Sequence, residues 1–143
     1  MQYVTQQDLI DRFGEKELRE LSDRVNRPPT MIDDTVVSRH IADAEALANG
    51  YIAKVYALPL TVVPPVLTKV CADLARYYLH GKAADKDSPV TAAYNQAISW
   101  LKDVARGLVE LDAGGDTPAQ AGTGAIKANP SGRVMRRDTL RDL

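Results

Sequence analysis

Residues 33–55 read DDTVVSRHIADAEALANGYIAKV, and this segment sets the architecture of the whole chain. Val37, Ile41, Ala44, Ala48, Tyr51, Ile52 and Val55 recur at spacings of three and four, which gathers them on one face of an α-helix instead of alternating them across a strand. Asp33 or Asp34 stands where such a helix needs an N-cap. Gly50 lies inside the pattern with no proline near it, so either a bend or the close approach of another backbone is expected there.

The same periodicity repeats twice toward the C-terminus. Pro64-Pro65 make a natural helix entry, because proline at the first helical position gives up no hydrogen bond. Leu67, Val70, Cys71, Leu74, Tyr77 and Tyr78 form the buried side of that helix, and Gly81 ends it as a left-handed C-cap. A charged loop, Lys82 to Asp87, follows. Ser88 caps and Pro89 opens the last helix, in which Val90, Tyr94, Ala97, Leu101, Val104 and Leu108 keep the spacing to about Glu110.

Toward the N-terminus the helices are shorter. Thr5 and Asp8 have the spacing of a capping box ahead of Leu9, Ile10 and Phe13, which predicts a helix over 5–13. Gly14 breaks the chain, and Glu15 and Glu17 suit the positive end of a second short helix carrying Leu18, Leu21 and Val25. Asn26-Arg27-Pro28-Pro29 cannot continue it. Between the long helices, the proline-punctuated segment 57–65 reads as an extended connection against the core.

The expected fold class is therefore all-α: a helical bundle of three longer and two short helices over residues 1–111. After Asp112 the chain turns rich in Gly, Ala, Pro, Thr and Ser and nearly empty of large apolar residues, so it cannot bury enough surface to offset the entropy of ordering. Residues 112–143 are expected to form an extended, flexible C-terminal tail. Ile126, Arg133, Val134, Met135, Arg136, Arg137, Leu140 and Arg141 are its candidate partner-binding residues, anchors for docking onto a neighbouring subunit or a larger assembly. Asp138 and Asp142, interleaved with the arginines, favour a protein surface over a phosphate backbone, with a plainly solvated terminus as the ordinary alternative.

Composition narrows the function. The chain has 143 residues, 45% hydrophobic and 26% charged, with a formal net charge of −1, which disfavours a protein whose main partner is bare nucleic acid. The one cysteine, Cys71, has no partner for an internal disulfide, and no Cys/His tetrad exists for zinc. The N-terminus has neither signal-peptide nor membrane-anchor character, and the apolar stretch 56–67 is too short and too proline-rich to span a bilayer.

Chemistry-bearing residues occur only as fragments. His40 and Asp43 share a helix face, but two residues do not make a metal site. His80 is expected to interact with the last carbonyls of its helix, and Cys71 to be a small buried side chain. Glu15, Glu17, Asp33 and Asp34 have an ordinary explanation in capping and dipole complementarity. Gly114-Gly115 and Gly122-x-Gly124 neither follow a strand nor open a helix, so they do not read as a phosphate loop. No catalytic residues, metal ligands or cofactors are expected.

Asp8-Leu9-Ile10-x-Arg12-Phe13-Gly14 and Glu17-Leu18-x-x-Leu21 resemble the start of the small head-to-tail proteins encoded by Mu-like phages and prophages. The likeness continues through Ala42-Asp43-Ala44, Gly50-Tyr51-Ile52, Tyr56-x-Leu58-Pro59-Leu60, Pro64-Pro65-x-Leu67, Asp73-Leu74-Ala75-Arg76-Tyr77, Tyr94 and Trp100-Leu101. It covers roughly residues 3–111. The resemblance implies a helical head-tail connector, or adaptor, located in the virion at the head-tail interface after assembly in the host cytoplasm. Its implied partners are the portal protein, neighbouring copies of itself in a ring of twelve, a tail-proximal stopper or tail-terminator protein, and DNA passing through the channel without sequence-specific contact. No membrane is involved. Two other classes compete: a helical DNA-associated regulatory or packaging-accessory protein, which should carry a basic recognition helix, and a small enzyme, which should carry a convergent polar cluster. Neither feature stands out in the sequence.

Overall fold

The structure, a computed structural model, describes residues 2–114. Five α-helices and one 3₁₀ turn make up its regular elements, and the described residues contain no strand. The expected all-α bundle is observed. The tail residues beyond 114, and with them the eight candidate anchors, lie outside the described residues.

α1 (Gln6–Phe13) begins with a complete capping box: the Thr5 hydroxyl accepts from the Asp8 amide, and the Asp8 carboxylate accepts from the Thr5 amide. Gly14, at φ +94°, forms the joint to α2 (Glu15–Ser22). α3 (Asp34–Ile52) is capped by Asp33, whose carboxylate accepts from the amides of Thr35 and Val36. α4 (Pro65–His80) starts on proline and ends at Gly81, which has φ +53°. The 3₁₀ turn Gly81–Ala83 leads toward α5 (Pro89–Ala105), capped by Ser88 through the Thr91 amide.

α3 and α4 form the centre of the bundle, each packing against all four other helices. Leu67, Val70, Cys71 and Leu74 are buried as the spacing predicts, but Tyr77 and Tyr78 are only half-buried, and Ala72, Asp73, Ala75 and Leu79, which the stripe did not include, are buried as well. The helix keeps only a narrow exposed strip near its start, at Val66 and Lys69, so it shows no broad polar face. The α3 face is buried at Val37, Ile41, Ala44, Ala48 and Ile52, with Tyr51 and Val55 half-buried. α3 and α5 run alongside α4 in the opposite direction. One end of the bundle therefore holds the start of α3 and the end of α4, and the other the end of α3, the start of α4 and the end of α5.

Three expectations about helix ends are corrected, and one of the two readings of Gly50 is ruled out. α2 stops at Ser22, and Val25 is not on its apolar face but 86% exposed in the following loop. α3 ends at Ile52, three residues early. α5 ends at Ala105 instead of near Glu110: Gly107, at φ +75°, redirects the chain, leaving Leu108 72% exposed. At Gly50 no atom lies within 4 Å of where a Cβ would stand, so close backbone approach is not the reason for glycine there.

After α5 the chain folds back onto the α3–α4 connection. The Leu111 amide donates to the Tyr56 hydroxyl at 2.8 Å in a buried hydrogen bond, and Leu111 and Ala113 are themselves buried. Gly114, at φ +70°, lies so close to Val62 that a Cβ would stand 2.6 Å from its Cγ2. The N-terminal strap is held similarly, with the amides of Tyr3 and Val4 donating to Glu45 Oε1 and the Tyr3 hydroxyl donating to Asn49.

Candidate functional site

The residues first considered for chemistry have structural roles. Cys71 is fully buried, and burial, with the Glu45 charge adding, pushes its thiol up to about 12. At neutral pH it is a packed apolar group and not a nucleophile. His80 is corrected: its Nε2 lies 3.1 Å from Glu17 Oε1 on α2, so it bridges two helices instead of capping its own. The same Glu17 carboxylate receives both Nε and Nη2 of Arg76 at 2.7 and 3.1 Å. Burial works against the charged carboxylate, but the hydrogen bonds from Arg76 and His80 together outweigh it and lower its pKa. Glu17 thus does more than complement a helix dipole, because it ties α2 to α4.

His40 and Asp43 do share a face, with Nδ1 and Oδ2 3.8 Å apart. Burial lowers the His40 pKa, reinforced by Arg24, whose Nη2 is 3.5 Å from His40 Nε2, and by Arg39, while Asp43 opposes them. These effects together favour the neutral imidazole. Both residues border a groove of about 610 Å³ together with Tyr77, Tyr78, Gly81 and Lys82. Tyr77 stacks on Tyr94 at 3.9 Å between ring centroids, with Tyr78 edge-on to both. Among the described residues no group of three or more His, Cys, Asp or Glu is placed to hold a metal, and no helix is long and apolar enough to cross a membrane.

The features best suited to contact another molecule are apolar and lie at the two ends of the bundle. At one end, the 23–31 loop is organised around the buried Asp23 carboxylate. It accepts from the backbone amides of Val25, Asn26, Thr30 and Met31 and from the side chains of Asn26 and Thr30. Hydrogen bonds from the Asn26 and Thr30 amides and the Asn26 side chain, against burial and with Met31 adding, hold this carboxyl far below the ordinary aspartate range. The locked loop displays Val25 and Met31, the latter 64% exposed. At the other end, Leu58, Val62, Val66 and Leu108 are exposed. Beside them a second groove of about 280 Å³ runs between α4 and α5, bordered by Val66, Val70, Ala97 and Trp100.

Asp23 is the residue that the sequence reading passed over. Its signal was present in Asp23-x-x-Asn26, an acid ahead of a proline-rich turn whose amides lack helical partners.

A family model described as Bacteriophage Mu, Gp36 matches residues 3–128, which takes in every helix described above. The chain belongs to the bacteriophage Mu Gp36 family. Gene product J of Escherichia phage Mu is 36% identical over 110 residues, covering 75% of this chain and 74% of that protein. The Mu-like prophage FluMu protein gp36 of Haemophilus influenzae is 27% identical over 137 residues, covering 96% of this chain and 94% of that protein. The Mu-like phage family expected from the motifs between Tyr3 and Leu101 is therefore the right one.

Proposed function

We propose that this Gp36-family protein is a structural head-tail connector, forming a ring below the portal that joins capsid to tail and lets DNA pass. One observation carries the reading: two unlike apolar surfaces stand at opposite ends of one packed bundle, Val25 and Met31 at one, Leu58, Val62 and Leu108 at the other. The 19 residues of α3 separate them by about 28 Å at 1.5 Å per residue. Subunits of a closed ring meet head to tail through two different surfaces, so a ring former needs such a pair.

In this reading the partners are the portal protein, neighbouring copies, and a tail-proximal stopper or terminator. DNA passes without sequence-specific contact, consistent with a formal net charge of −1. Residues 126–141, with Arg133, Val134, Met135, Arg136, Arg137, Leu140 and Arg141, supply attachment outside the bundle. The role is structural, in the virion, without catalysis.

The test is deletion of the gene from an inducible prophage. DNA-filled heads and separate tails should accumulate, and a plasmid copy should restore joined particles. Heads joined to tails at the normal frequency in the deletion would overturn the proposal.

A further inference from the structure

The 23–31 loop combines two properties that rarely coincide. Its backbone is pinned by four amide hydrogen bonds to one buried carboxylate, yet it holds Val25 almost wholly in water. Fixing a loop before contact removes most of the ordering cost of docking it, so a locked backbone that displays an apolar side chain is preorganised to bind. Beside Val25, Arg24 and Arg27 make the loop basic, and Arg27 is exposed and forms no ion pair among the described residues.

The α4–α5 groove offers the complementary surface. Val66, Val70 and Ala97 give it an apolar floor, and Trp100 presents an indole to which a guanidinium is attracted. Asp73, on its border, is held by Lys69 at 2.7 Å. Gln96, Trp100 and Asp103 fall at i, i+4 and i+7 on α5, so a carboxylate with no ion pair among the described residues continues the same face. Loop and groove lie toward opposite ends of one packed bundle, so they cannot meet within a chain. They can meet between chains.

We propose that Val25 of one copy docks in the α4–α5 groove of the next, with its Arg27 against Trp100 and Asp103. This rests on the ring reading above and names the contact that builds the ring. Because loop and groove are different surfaces, the contact is heterologous and repeats from copy to copy until it closes.

The experiment uses the full-length chain and reads mass distributions by mass photometry, alone and with portal rings. The wild type should form a ring, and Val25→Glu and Arg27→Glu should each lower its fraction at least tenfold. Both positions are exposed, so thermal unfolding by circular dichroism should remain that of the wild type. Asp103→Arg should fail alone but restore rings when mixed into the Arg27→Glu background. Val25→Cys combined with Gln96→Cys should give an oxidised ladder of linked copies that neither single variant gives. Wild-type rings that survive both loop variants and show no ladder would overturn this interface while leaving the ring intact. A wild type that stays monomeric even on portal rings would remove the ring reading, and this contact with it.

Discussion

Replacing Leu101 and Leu108 by alanine, one at a time, separates residues that look equivalent in sequence. Both occupy the same periodic stripe, but Leu101 is fully buried on α5, whereas Leu108 lies past the Gly107 turn and is 72% exposed. Truncating leucine to alanine removes about three carbons, and at about 0.8 kcal/mol each a fully buried side chain loses about 2.4 kcal/mol of transfer free energy. A residual cavity of about 50 Å³ adds about 1 kcal/mol. Leu101→Ala should therefore cost about 3–4 kcal/mol. For Leu108 roughly a quarter of the side chain is covered and no enclosed cavity results, so the loss should stay under about 0.7 kcal/mol. Urea titration followed by circular dichroism, at concentrations where the chain is monomeric, measures both. The Leu101→Ala midpoint should fall by about 1–3 M with an unchanged slope. Losses at the two positions within 1 kcal/mol of each other would refute the reasoning, because they would place both leucines in one continuous buried helix.

Three further outcomes are expected. Asp23→Asn should speed hydrogen exchange at the amides of Val25, Asn26, Thr30 and Met31 while the helices stay protected, as measured by exchange mass spectrometry. The folded-state pKa of Asp23 is depressed, so its contribution is fully present above the unfolded value of about 3.9 and fades as pH falls through the folded one; acid titrations of stability should accordingly be shallower in the variant. Cys71 should resist a thiol reagent at pH 8 in the native protein and react only on unfolding, with a colorimetric thiol assay in and out of denaturant as the check. Gly50→Ala should raise monomer stability by about 0.5–1 kcal/mol, since the position is helical and open to a Cβ, and thermal denaturation would detect it.

Helix starts were readable from local sequence because the groups that satisfy them are local. Thr5 with Asp8, Asp33, and Ser88 ahead of Pro89 each answer the unpaired amides of the next turn, and each proved to be the cap. The buried stripe of α3, and that of α4 from Leu67 to Leu74, followed from periodicity for the same reason. Helix ends and loops were different. Val25 and Leu108 fit the spacing but fall outside the helices, because the turns at Asp23 and Gly107 depend on where the chain must go next. The ties between Glu17 and both Arg76 and His80, and between Tyr56 and Leu111, span 55 to 63 residues, and no local pattern announces them. Nor could periodicity show that α4 is buried around most of its circumference, or that the Asp23 loop and the Trp100 groove stand toward opposite ends of the bundle. Capping and amphipathic spacing are satisfied within a turn or two of chain. Which surface stays exposed is fixed only when all five helices have packed and used up the rest.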